Sequence, residues 1–147
     1  MQLRLSMKSV NPEGYSAMVG LERYISGISL DAKLKELIKI RASQINGCAF
    51  CIDMHTKDAR KLGESERRIY ALNAWREAPF FTQAERSVLA LTEATTLIAD
   101  THVPDDVYNQ VREHFNERET AEIIMCIVTI NAWNRIAIST RIMPPTE

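Results

Sequence analysis

Apolar residues recur every three or four positions along most of the chain, the spacing of side chains on one face of an α-helix. Asn11-Pro12-Glu13 offers an N-cap, a proline at the first helical position and an acidic first turn, and Tyr15, Met18, Val19 and Tyr24 follow at helical spacing. A second helix is expected over about 31–45, with Leu30, Leu34, Leu37, Ile38, Arg41 and Ile45 on one side and Asn46-Gly47 as punctuation. A third runs from about Cys48 to Leu62 and stops at Gly63, the residue type that tolerates the left-handed position after a helix. Ser65 caps a short fourth helix that ends before Pro79. Thr82-Gln83-Ala84-Glu85 is a capping box opening a fifth helix to about Asp100. Pro104-Asp105-Asp106 starts a sixth that ends near Phe115, and Asn116-Glu117-Arg118-Glu119 is a second box before a last helix reaching about Thr140. No period-2 segment exceeds a few residues. The pattern predicts an all-α bundle of six or seven helices in one domain over 1–147, with its core at about 11–144.

Composition narrows the class. With 147 residues, 46% hydrophobic and 25% charged, the chain can bury about two-thirds of its surface, which excludes a disordered protein. A net charge of −1 argues against a general binder of nucleic acid or of anionic membrane. The first half is net positive and the second net negative, which suggests complementarity within the fold or between subunits. The start, Met1 to Lys8, lacks the apolar stretch of a secretion signal, and the longest apolar run, Ile123 to Val128, is far below the roughly 20 residues a bilayer needs. A cytoplasmic protein without membrane contact is expected.

The candidate chemistry lies in residues 36–63. Cys48 and Cys51 are three apart and Cys51 and His55 four apart, so a helix puts all three on one face. The Asn46-Gly47 break sets Cys48 at the helix start, where unpaired amides and the helix dipole favour a thiolate. These residues can supply an ionised thiol, a second thiol to close a disulfide, and an imidazole to move protons. That chemistry requires the sulfurs and the imidazole to face solvent or a small cavity together. Zinc is the competing reading of a Cys-x-x-Cys, but a structural site wants four ligands and only three lie here. Two buried packing cysteines are the third reading.

Glu36, eleven residues, Cys48-Ala49-Phe50-Cys51, three residues, His55 resembles the signature of the AhpD-like alkylhydroperoxidases of the carboxymuconolactone decarboxylase superfamily. The flanks Arg41 to Gly47 and Ala59 to Gly63, and Ile130 to Ile136 near the end, are similar as well. The resemblance implies a helical fold, assembly as a homotrimer or homohexamer, and peroxide reduction without metal or organic cofactor. It implies that Cys51 attacks the hydroperoxide, that Cys48 resolves the sulfenic acid, and that Glu36 and His55 relay the proton. It also implies an external dithiol reductant, dihydrolipoamide-bearing or thioredoxin-like. Phe50 stands where one member's relay has a further histidine. Helix position alone favours Cys48 as the more acidic thiol; the resemblance selects Cys51, which has His55 four residues on. A redox sensor or disulfide-exchange module without fast turnover is the alternative.

Other residues read as structural. Glu36 taken alone is a carboxylate with Lys33 and Lys39 in pairing reach, and Asp53 points off the dithiol face as surface charge. Cys126, within Ile123 to Val128, reads as packing. Trp133, Asn131, Asn134 and Arg135 read as buried polar groups that fix the bundle rather than line the site. Phe80 and Phe81 are expected to staple the fifth helix, and His102 and His114 have no partner spacing.

Overall fold

A computed structural model describes residues 1–146. The elements are helices α1 (Met7–Val10), α2 (Pro12–Gly27), α3 (Ala32–Asn46), α4 (Ala49–Lys61), α5 (Glu66–Tyr70), α6 (Gln83–Thr96), α7 (Ile98–Thr101), α8 (Asp105–Arg112) and α9 (Glu117–Thr140), with a 3-10 turn at Leu72–Ala74. No strand occurs among the described residues. The fold is the expected all-α bundle.

Its boundaries follow from local chemistry. The Asn11 side chain accepts from the Gly14 amide and Asp31 accepts from Leu34, so α2 and α3 begin where the caps sit. Both capping boxes form, Thr82 with Glu85 and Asn116 with Glu119. Gly47, at φ 71°, ends α3 in a Schellman turn: its amide bonds the Gln44 carbonyl and the Cys48 amide bonds that of Ser43. Gly63, at φ 86°, repeats the device after α4, with the Glu64 amide on Ala59.

Two expected helices are divided. The fifth stops at Thr96 and restarts as the single turn α7, because the Thr101 hydroxyl takes the Ala94 carbonyl and His102 and Val103 adopt positive φ. The fourth yields α5 and a 3-10 turn; beyond them Arg86 gathers the carbonyls of Trp75, Arg76 and Ala78, giving the irregular chain its partners. The staple takes another form too. Phe81 is buried beside Leu89 and Ala90 with the Arg68 guanidinium 4.8 Å over its ring, while Phe80 is covered by Arg67.

Helix α3 lies at the centre, packed against α4, α6 and α9, with Leu37, Ile38, Ile40 and Ala42 fully buried. One core cluster joins it to α9 through Ile38, Ile123, Ile127 and Ile130; a second joins it to α5 and α6 through Leu37, Ile40, Ile69 and Leu89. Although its apolar runs are short, α9 is long and apolar enough on average to cross a membrane. Here it packs against α2, α3, α4, α6 and α8 as a core helix.

Candidate active site

The site forms where α3, the first half of α4 and α9 pack together. Cys48 is the second residue after α3, closing its Schellman turn, and also the N-cap of α4. Its sulfur accepts from the Cys51 amide at 3.3 Å. The two cysteines are disulfide-bonded, their Cα atoms 5.3 Å apart. In this oxidised form neither sulfur is a metal ligand or a free packing thiol.

Glu36 and His55 meet across α3 and α4: Glu36 Oε2 lies 2.9 Å from His55 Nδ1. A carboxylate only accepts, so Nδ1 carries the proton and Nε2 is left as the basic nitrogen. His55 follows Cys51 by one turn on the same helix, and all four predicted residues lie at one junction. Their exposure differs from expectation. Cys48 and Cys51 are each 2% exposed and sit in the apolar cluster with Val88, Leu91, Ile123 and Ile127, while His55 and Glu36 are 6% and 8% exposed. The sulfurs are closed over rather than presented to solvent, because α9 covers the first turn of α4 and Phe50 packs alongside.

The polar surroundings extend further than the predicted four. Glu36 pairs with Lys39, not Lys33: Lys39 Nζ is 3.4 Å from Glu36 Oε1 and 2.9 Å from Glu22 Oε1. Glu22 accepts through Oε2 from Trp133 Nε1 at 3.1 Å, and Tyr15 stacks edge-on against that indole. Burial alone lowers the Lys39 pKa, but Glu36 and Glu22 outweigh it and hold the ammonium above its ordinary value. Trp133 thus connects to the charged cluster through Glu22. Asn131 and Asn134 do fix the bundle, whereas Arg135 is exposed and bonds Asn131 within α9 rather than across the bundle. Asn46 donates to the side-chain oxygens of both asparagines, Asn134 donates to Ser43, and Arg135 donates to Asn131.

Sequence reasoning put Lys39 within reach of Glu36 but missed Glu22. The readable signal for Lys39 was the 3-4-3 spacing of Glu36, Lys39, Ser43 and Asn46, a continuous polar stripe along one face of the helix. Asp58 was missed as well; its carboxylate and the donor atoms of Glu36 and His55 lie within 4.8 Å of one another. A cation among them would face the Lys39 ammonium, so the group is better suited to moving protons than to holding metal. Asp53 pairs with Lys57 on the outer surface, as expected. Cys126 is fully buried, and burial pushes its thiol up to about 12, which leaves it inert.

The all-helical bundle has the architecture of AhpD-like proteins. The chain belongs to the carboxymuconolactone decarboxylase family, whose model matches residues 12–94. It is 49% identical over 139 residues to the uncharacterized protein YdfG of Bacillus subtilis (strain 168), covering 95% of each chain. The crystal structure of an Agrobacterium tumefaciens protein of unknown function, a putative antioxidant defence protein AhpD, superposes with a TM-score of 0.97 at 42% identity, over 99% of this chain and 100% of that one. The debrominase Bmp8 shares the fold, with a TM-score of 0.84 at 21% identity over 92% of this chain and 73% of its own.

Proposed function

We propose that this protein is a thiol peroxidase that reduces hydrogen peroxide or organic hydroperoxides through Cys51 and Cys48. The observation that supports the reading most is the 2.9 Å Glu36–His55 contact, one helical turn from a cysteine pair already able to form a disulfide. In the reduced state His55 Nε2 takes the Cys51 proton. The thiolate attacks the terminal peroxide oxygen, the O–O bond breaks, and the alkoxide or hydroxide leaves with the imidazolium proton as alcohol or water. Cys51 is then a sulfenic acid. Cys48 attacks its sulfur, water departs, and the disulfide closes. An external dithiol, dihydrolipoamide-bearing or thioredoxin-like, reopens it by exchange and is itself oxidised. Because the sulfurs are buried, the first turn of α4 must open for this exchange, and a water-sized peroxide fits the site better than a bulky one.

The working form we propose is a cytoplasmic homotrimer or homohexamer. Val128 and Ile138 of α9, 44% and 45% exposed, are candidates for the subunit contact. A mass of one chain in light scattering at micromolar concentration would remove this part of the reading.

The same burial favours a second reading. A disulfide that a reductant reaches only after local opening can oxidise once and stall, as a redox sensor does. Peroxide consumption under saturating dithiol donors, followed by mass mapping of the disulfide, separates the two. Sustained turnover with a Cys48–Cys51 bond supports the peroxidase; one equivalent consumed per chain, and then arrest, supports the sensor.

A further inference from the structure

The relay does not end at Glu36. From His55 a line of buried charges runs through Glu36 and Lys39 to Glu22, whose side chain is 38% exposed, and Trp133 of α9 holds the far oxygen of Glu22. Lys39 is the middle of this line, 8% exposed, with one carboxylate on either side. Two features make it more than a structural ion pair. Its ammonium occupies Glu36 Oε1, which leaves Oε2 to fix the His55 tautomer. Its charge also opposes protonation of an imidazole placed just beyond that carboxylate.

We propose that Lys39, anchored by Glu22 and Trp133, is a positioning residue for the Glu36–His55 pair: it orients the carboxylate that fixes the His55 tautomer and supplies the positive charge that the imidazole faces as it accepts the Cys51 proton. The ionisable groups gathered around this centre are Glu22 from α2, Lys35 and Glu36 from α3, His55 and Asp58 from α4, and Cys126 from α9. Cys126 stays a thiol. Lys35 is directed away, onto the carbonyls of Ile25 and Ser26. Asp58 is shared with Lys61. Lys39 therefore supplies the positive charge nearest the pair, and Glu22 determines how much of it Glu36 receives. The role rests on the peroxidase reading for its purpose, though its electrostatic content does not.

The test follows the His55 ring nitrogens by NMR across pH in the reduced full-length chain, alongside the pH profile of peroxide consumption. In Lys39→Met the His55 titration midpoint should rise by about one pH unit, and the acid limb of the rate profile should move with it. Lys39→Arg, which keeps the charge, should return both to within about 0.3 unit of the parent. Glu22→Gln keeps an oxygen for Trp133 but gives Lys39 wholly to Glu36, so the midpoint should fall, by about half a unit. Opposite shifts from the two sides of one lysine are not what loss of packing produces. If Lys39→Met does not fold, the sign of the Glu22→Gln shift decides alone. Midpoints unchanged in both variants, or moving the same way, overturn the proposal even if the enzyme consumes peroxide. A parent that consumes no peroxide but shows the opposite shifts sinks the peroxidase reading and leaves the role of Lys39 standing.

Discussion

Helix α3 carries two partly buried ion clusters on different faces, and only one of them includes an imidazole. On one side Glu36 meets His55 and Lys39; on the other Arg41 meets Glu93, which also accepts from Trp75 Nε1 at 2.8 Å and from Arg76. Both carboxylates are desolvated and both have several donors. Around Glu93 every donor is a guanidinium or an indole, none of which changes protonation near neutral pH. Burial pushes the Glu93 carboxyl up, but the hydrogen bonds from Trp75, Arg76 and Arg41 outweigh it and hold the group below the usual carboxylate range. That cluster ties α3 to α6 and to the chain after the 3-10 turn. Around Glu36 one donor is an imidazole that can exchange its proton, one turn from a cysteine. Burial and charge pairing are common to both; an imidazole partner one turn from a cysteine is not.

The largest expected effects fall on the Glu36 side. Cys51→Ser should abolish peroxide consumption, whereas Cys48→Ser should still give one sulfenic acid per chain, trapped by a dimedone-type reagent and located by mass spectrometry. Trapping at Cys48 in Cys51→Ser would reverse the roles assigned to the two thiols. His55→Gln should lower the second-order rate with peroxide by about 10²–10³-fold, the usual worth of a positioned base, and Glu36→Gln by about tenfold or more. Neither change should alter the disulfide that a strong oxidant forms, because the cysteine spacing is set by the Schellman turn and the N-cap.

Much of this half of the comparison was readable along the chain. Caps, glycines and the Cys48–Cys51–His55 spacing are local, so the starts of α2, α3, α6 and α9 and the shared face of those three residues followed from them, whereas Glu36 was singled out only by the family resemblance. What needed three dimensions was the company they keep. Glu22 precedes Lys39 by 17 positions and Trp133 follows Glu22 by 111, and no local rule joins them. Burial of the sulfurs was illegible for the same reason: the first turn of α4 is closed by α9, about eighty residues away in sequence. The division at Leu97 was hidden because Thr101 competes for a helix carbonyl through a hydroxyl that a propensity reading treats as neutral.

On the other face, Glu93→Gln should leave peroxide turnover per folded molecule unchanged and lower stability instead. Removing the charge leaves Arg41, 15% exposed, without its carboxylate. With partial solvent screening the cost is about 2 kcal/mol, or roughly 5 °C in Tm. Because the folded carboxyl titrates below its unfolded value, its contribution is complete above about pH 4.5 and fades as pH falls through the lower folded value. The difference between parent and variant in urea melts should therefore narrow below about pH 4. A Glu93→Gln protein that loses turnover while keeping its Tm would erase the distinction between the two clusters.

The smallest effect is expected at a third kind of ion pair, Lys57 with Asp53, on the outer face of the same helix that carries the cysteines. The distance, 2.8 Å, is as short as that of the Glu36–His55 pair at 2.9 Å, but the side chains are 57% and 32% exposed. Water screens such a pair, and its acid-first i,i+4 geometry on a helix is worth about 0.3–0.5 kcal/mol. Lys57→Ala should shift Tm by no more than about 2 °C and leave the His55 titration in place. Its effect on turnover carries the information. Distance alone would rank this pair with Glu36–His55, whereas desolvation and a titratable partner rank it last. If Lys57→Ala slows turnover several-fold at limiting dithiol yet not at saturating dithiol, the outer face of α4 touches the reductant. The site would then have two working sides, one buried for peroxide and one exposed for electrons.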